Sequence, residues 1–114
     1  MSQIIKIYNA EDEDNIFEFK GVDNAGGVIY YYEGKPFTGI IQHYSKNIMV
    51  GEEEFTDGHI GGVQREYYEN GQIKEEYYKY FGKLDKYYKE WDINGNLIRH
   101  SIWQNGTKIQ TIIQ

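Results

Sequence analysis

A chain of 114 residues with a net charge of −6 and no cysteine is one small domain that carries neither disulfides nor thiolate chemistry. Twelve tyrosines, 13 glycines and a single proline favour short strands and tight turns over helix. No apolar run reaches the length of a membrane span, and the acidic balance disfavours nucleic acid, whose phosphates reward cations.

The first segment, "MSQIIKIYNAEDEDN", lacks the basic start and long apolar stretch of a signal peptide, so a cytoplasmic protein is expected. "IIKIY" and "NIFEFK" read as two strands joined by the acidic "EDED" (Glu11 to Asp14). That acidic segment lacks the alternation and glycine of a calcium loop. "VDNAGG" then turns the chain into "VIYYYEGK". Residues 1–27 are expected to form an N-terminal cap or degenerate repeat, and 28–114 a run of β-hairpins within the same domain.

The run has a period. Gly34, Gly58, Gly82 and Gly106 stand 24 residues apart, and so do Lys46-Asn47, Asn70-Gly71 and Asn94-Gly95. Asn and Gly tolerate the positive φ of two-residue type I′ turns. Wider or less regular turns are expected at the poorer dipeptides Lys46-Asn47 and Phe81-Gly82. With two-residue turns, Tyr44 faces Met49, Tyr68 faces Ile73 and Asp92 faces Leu97. His43 then meets Val50, Tyr67 meets Lys74 and Trp91 meets Ile98. Further from the turn, Glu66 meets Glu75 and Glu90 meets Arg99. Neither face is wholly apolar, which predicts an all-β fold: a single-layer antiparallel meander of hairpins, held by stacked aromatics. The last segment, "GTKIQTIIQ", forms the far edge, and its apolar "IQTII" invites a homodimer through that edge.

The stretches "GKPFTG" (Gly34 to Gly39), "REYYENGQIKEE" (Arg65 to Glu76) and "KEWDINGNLIR" (Lys89 to Arg99) resemble the variant MORN repeat, over residues 28–110. The resemblance implies a scaffold of hairpins. It further implies an immunity- or antitoxin-like role for a bacterial protein, neutralising a cognate toxin by binding it, or else phospholipid binding or structural scaffolding. The sequence departs from the family pattern at Lys86, where Gly is usual, so the last unit is expected to pack less regularly.

Catalytic chemistry is not expected, nor is a cofactor or metal. His43 shares its repeat position with Tyr67 and Trp91 and reads as a stacking residue. His59 reads as solvated in a turn, and His100 falls opposite Lys89. "GHIGG" (Gly58 to Gly62) lacks the Lys-Ser/Thr and helix of a phosphate loop. The pairing of Glu66 with Glu75 sets like charges across strands, at a cost to stability. Glu53, Glu66, Tyr68, Glu75, Glu90 and Asp92 are therefore the candidate residues for a protein partner, tyrosines serving as anchors and carboxylates as steering charges. A membrane surface is the weaker candidate. It draws on the tail, residues 79–114, where 6 Lys/Arg exceed 3 Asp/Glu, but residues 1–78 carry 15 Asp/Glu against 6 Lys/Arg.

Overall fold

The computed structural model describes the strand at 3–7 and residues 17–114. The acidic segment Glu11 to Asp14 lies outside the described residues. The strands are β1 (Gln3–Ile7), β2 (Glu18–Val22), β3 (Val28–Tyr32), β4 (Lys35–Pro36), β5 (Gly39–Ser45) and β6 (Ile48–Thr56). They continue as β7 (His59–Tyr67), β8 (Ile73–Tyr80), β9 (Lys83–Trp91), β10 (Leu97–Gln104) and β11 (Thr107–Ile113). There is no helix among the described residues, so none could cross a membrane.

The chain is all-β, and β5 to β11 pair consecutively as an antiparallel meander. β1 extends the sheet by pairing parallel to β5, from Gln3 opposite Gly39 to Ile7 opposite His43. β11 closes the other end of the strand order. Ile109, Ile112 and Ile113 are exposed along it.

Five connections are two-residue turns with positive φ at both positions: Glu33-Gly34, Lys46-Asn47, Asp57-Gly58, Phe81-Gly82 and Asn105-Gly106. The two dipeptides expected to widen thus make regular type I′ turns. The wider turns occur instead at Asn70-Gly71 and Asn94-Gly95. There the Gly71 amide donates to the Tyr68 carbonyl at 3.0 Å and the Gly95 amide to the Asp92 carbonyl at 3.0 Å. Only the glycine has positive φ in each, the pattern of a type I turn followed by a left-handed residue. Side-chain capping selects this turn. Asn70 Oδ1 accepts from the Gln72 amide at 3.0 Å, and Asp92 Oδ1 accepts from the Asn94 and Asn96 amides at 2.9 and 3.0 Å. "VDNAGG" turns the same way around Asp23.

The turns are also tied to the preceding hairpins. The amides of Gly58, Gly82 and Gly106 donate to the carbonyls of Phe37 (2.8 Å), Ile60 (2.7 Å) and Leu84 (2.7 Å). Each turn therefore satisfies a carbonyl of the unit before it, which is how a thin sheet joins unit to unit.

The apolar core lies at one end. The β2–β4 segment branches from the sheet, β3 meeting β7 at Ile29 opposite His59, and packs over β5 and β6. Phe17, Phe37, Ile41 and Phe55 are buried there, with Val28, Tyr30, Tyr32 and Ile60 around them. Phe55 stacks on Tyr30 at 5.6 Å between ring centroids and touches Phe37 at 5.7 Å. His59, expected to be solvated, is half-buried where it opens β7. Its Nδ1 lies 2.9 Å from Asp23 Oδ2, and its ring meets Phe81 edge-on at 5.2 Å.

Aromatic stacking is less regular than the period suggested. Tyr77 stacks on Tyr88 at 5.7 Å, across neighbouring strands. Elsewhere lysines lie over tyrosine rings: Lys86 over Tyr78 at 4.3 Å, Lys89 over Tyr87 at 5.3 Å and Lys74 over Tyr68 at 5.7 Å. The aliphatic stems cover apolar rings while the charges stay wet. Lys86, within β9, has φ 68° and so holds a left-handed conformation with a full side chain, which lies over Tyr78.

Candidate functional site: an acidic face

Register decides which side chains share a face. Three hairpins carry an unpaired bulge residue near the turn: Val50, Lys74 and Ile98. Three of the expected inner pairs are therefore replaced as follows: His43 meets Gly51, Tyr67 meets Ile73 and Trp91 meets Leu97. Tyr68 and Asp92 lie outside the ladders, at the turns. Tyr44 does meet Met49. Beyond the bulges, Glu66 meets Glu75 and Glu90 meets Arg99, as the spacing indicates.

Glu75 is also paired with Glu90 across β8 and β9. One row therefore runs His43, Gly51, Glu66, Glu75, Glu90, Arg99 over six strands. The next row on that face runs Ile41, Glu53, Gln64, Tyr77, Tyr88, Ser101. The apolar core covers the Ile41 end of this face. The remainder is open and carries Glu53, Glu66, Glu75 and Glu90.

The opposite face is built differently. Its row runs Gln42, Glu52, Arg65, Glu76, Lys89, His100, with charges alternating from Glu52 to Lys89. Arg65 Nε lies 2.7 Å from Glu76 and a terminal nitrogen 3.6 Å from Glu52. The Tyr67 hydroxyl donates to Glu52 at 2.9 Å, and burial with that bond pushes its pKa up to about 12. Here Arg65 lies between Glu52 and Glu76, and opposite charges face one another from Glu52 to Lys89.

On the acidic face the match is partial. His43 Nε2 lies 2.7 Å from Glu53 Oε1, and Arg99 lies 2.9 Å from Glu90. The Tyr88 hydroxyl donates to Glu75 and lies 3.4 Å from Glu90. Burial, then Glu75, pushes that hydroxyl's pKa far up. Burial, followed by Glu75, Glu66 and Glu53 together, raises the Tyr77 hydroxyl as well, so three carboxylates converge on it. Glu66 forms no ion pair among the described residues. Its carboxyl is raised above 4.5 by burial and then by Glu75.

Tyr68 and Asp92 are not part of this cluster. The Tyr68 hydroxyl donates to the Trp91 carbonyl at 2.9 Å, and Asp92 caps its own turn. His43, Gln64, Tyr77 and Tyr88 were not singled out with the acids. Gln64, Tyr77 and Tyr88 become visible as neighbours of Glu53, Glu66 and Glu90 once strands are counted two residues at a time. No group of three or more His, Asp or Glu side chains among the described residues could hold a metal ion.

No protein-family model, curated protein or solved structure matches this chain.

Replacing Glu66 by Gln is expected to stabilise the fold at pH 7 by about 0.5 kcal/mol, since directly opposed like charges cost up to ~1 kcal/mol and exposure screens part of that. A raised folded pKa means that this group favours the folded state below its ordinary value of 4.5. That contribution is lost as pH rises through the folded pKa. The advantage of Glu66→Gln should therefore vanish in acid. Asp23 has the opposite sign. Burial opposes its ionisation, but His59 and the turn amides outweigh burial and lower it. Its contribution is present above 3.8 and lost as pH falls through the folded value. Urea denaturation of wild type and Glu66→Gln at pH 7 and pH 4 checks the Glu66 window, while the Asp23 contribution persists at pH 4 and is lost only in stronger acid.

Proposed function

We propose that the chain is a non-enzymatic protein-binding module that offers the face of Glu53, Glu66, Glu75 and Glu90 to a basic partner. The role is the immunity- or antitoxin-like one implied by the resemblance to variant MORN proteins, in which the partner is a toxin occluded by binding. One observation carries this reading. Three carboxylates stand in consecutive strands on one face, while the other face of the same strands alternates its charges. A face selected only for stability would have been matched like its opposite.

Capture of partners from native lysate, with Glu66→Lys/Glu75→Lys as control, tests it. A stoichiometric basic partner that is lost with the charge reversal, and weakened by salt, is the expected result. A partner retained by the reversed protein overturns the choice of face.

The membrane reading relies on Lys79, Lys83, Lys86, Lys89 and Arg99. Lys79, Lys86 and Lys89 lie over tyrosine rings and Arg99 pairs with Glu90, which weakens it. Co-sedimentation with anionic liposomes at low salt would support that reading instead. Association of two copies through β11 is the remaining alternative, motivated by the exposed Ile109, Ile112 and Ile113. Sedimentation of the wild type and of Ile109→Lys distinguishes it.

A further inference from the structure

We infer that the groove over β10 binds a flat aromatic ring that carries a carboxylate, either as a small molecule or at the end of a peptide. The groove lies beyond the end of the acidic row and takes the opposite charge. Its volume is about 300 Å³, and Tyr88, Arg99, Ser101, Trp103, Lys108 and Thr111 line it. No Asp or Glu side chain among the described residues is part of that lining. Aromatic walls with a few placed polar groups are the usual furnishing of a small-ligand pocket.

A missing ring opens the groove. Tyr77, Tyr88 and Ser101 are successive members of one row across β8, β9 and β10. Tyr77 stacks on Tyr88 at 5.7 Å between ring centroids. Ser101 stands on the other side of Tyr88, 24 residues after Tyr77 in the chain. A serine there leaves uncovered the side of Tyr88 that a tyrosine in its place would cover. A ligand ring over Ser101 continues the stack at the ordinary aromatic spacing of about 4.5–7 Å. Ser101 forms the floor. It is 8% exposed, and its Oγ accepts from Trp103 Nε1 at 2.8 Å, which fixes the indole as a second wall. A hydroxyl both accepts and donates, and the Ser101 proton is given to no acceptor among the described residues.

The charges stand at the rim. Arg99 gives one terminal nitrogen to Glu90 at 2.9 Å, and a guanidinium has further donors to give. Lys108 forms no ion pair among the described residues and lies 5.9 Å over the Trp103 ring. Its place here depends on a bulge. Ile102 pairs with Gln110 and Trp103 with Lys108, so Ile109 is an extra residue in β11. In an unbulged strand Lys108 and Thr111, three positions apart, would point to opposite faces. The bulge re-aims Lys108 to the face of Trp103 and Thr111. Two cations and a hydroxyl proton around an aromatic floor suit an anion with several acceptor oxygens, and a carboxylate is the natural partner of a guanidinium fork. A carboxylate is also planar, so it lies in the stack with its ring, as a tetrahedral phosphate does not.

Benzoate is the probe, titrated into the full chain at constant ionic strength and followed by NMR of the Trp103 indole N–H and the Ser101 and Thr111 amides. Benzamide keeps the ring without the charge, and cyclohexanecarboxylate keeps the charge without the flat ring. The expected result is saturable shifts with benzoate and at least threefold weaker binding of both controls. Ser101→Tyr restores the ring found 24 residues earlier and should abolish saturation. Lys108→Gln leaves the floor intact and should weaken binding about fivefold, so a tyrosine variant that disturbs the strand does not decide the matter alone. N-acetyl-phenylalanine binding more tightly than benzoate, with its amide weaker, assigns the end of a peptide as the source, and the reverse order assigns a small molecule. Shifts that do not saturate, or that persist unchanged in both variants, overturn the site. Equal binding of benzamide overturns the carboxylate, and equal binding of cyclohexanecarboxylate overturns the ring.

Discussion

Phe55→Ala is expected to lower the unfolding free energy by about 3–5 kcal/mol, the range for deleting a fully buried aromatic ring. Phe55 is 1% exposed and lies between Tyr30 of β3 and Phe37. Its removal therefore opens the apolar core through which the β2–β4 segment packs on the sheet. A domain of this length holds roughly 6–17 kcal/mol in total, so a loss of this size is a large share of it. The rest of the sheet has little with which to compensate, because the described apolar core consists of four buried residues at one end. Urea denaturation should show the lower midpoint, and hydrogen exchange should show β3 amides losing protection before those of β8 and β9. Ile109→Ala, on the exposed edge strand, serves as the contrast and should change stability by no more than about 0.5 kcal/mol. Comparable losses for the two variants would mean that the fold does not depend on its covered end.

The hairpin order was legible in the sequence because turn dipeptides recur with a regular spacing and strands between them have no room for anything else. The acidic row was legible too, though through two compensating details. The spacing rule places a two-residue turn at Asn70-Gly71, whereas the chain makes a longer one. The bulge at Lys74 absorbs the extra residue, so Glu66 still meets Glu75. Asn94-Gly95 and Ile98 behave alike, and Glu90 still meets Arg99. At Lys46-Asn47 the turn is short and the bulge at Val50 is uncompensated, so His43 slides from Val50 to Gly51. That slip is what places Gly51, which has no side chain, between His43 and Glu66. The bulges at Val50, Lys74 and Ile98 recur with the spacing of the turns, but no shared residue type marks them in the sequence. The folding of β2–β4 over β5 and β6 was also not readable, since the contacts among Phe17, Phe37 and Phe55 depend on a branch of the sheet rather than on the period.

Gly62→Ala is expected to cost about 2–4 kcal/mol. Gly62 has φ 107°, outside what a side chain accepts, and a Cβ there would lie 2.2 Å from Glu54 Oε1. The backbone strain contributes about 1–2 kcal/mol. Glu54 can swing aside, but its Oε1 is the acceptor for the Val63 amide at 2.9 Å, and an orphaned amide adds about 1–2 kcal/mol. A double-mutant cycle with Glu54→Ala isolates the second part. The pair should cost about 1 kcal/mol less than the sum, because the amide is lost only once and the clash disappears. Strict additivity would show that Glu54 does not brace this bulge. Twenty-four residues on, Lys86 holds the left-handed conformation with a full side chain. Its exchange for Gly should be nearly neutral, as relieved strain offsets the lost Tyr78 contact, worth about 0.5–1 kcal/mol. The two positions differ in what they support. Gly61, Gly62 and Val63 together oppose Glu54 alone, and it is this irregularity that brings Gln64 opposite Glu53. A glycine held at 62 therefore fixes both the stability of β7 and the placement of Gln64 and Glu66 on the acidic face. Gly62→Ala should disturb the Gln64 and Glu66 amide signals even under conditions where the protein remains folded, whereas Lys86→Gly should leave them in place.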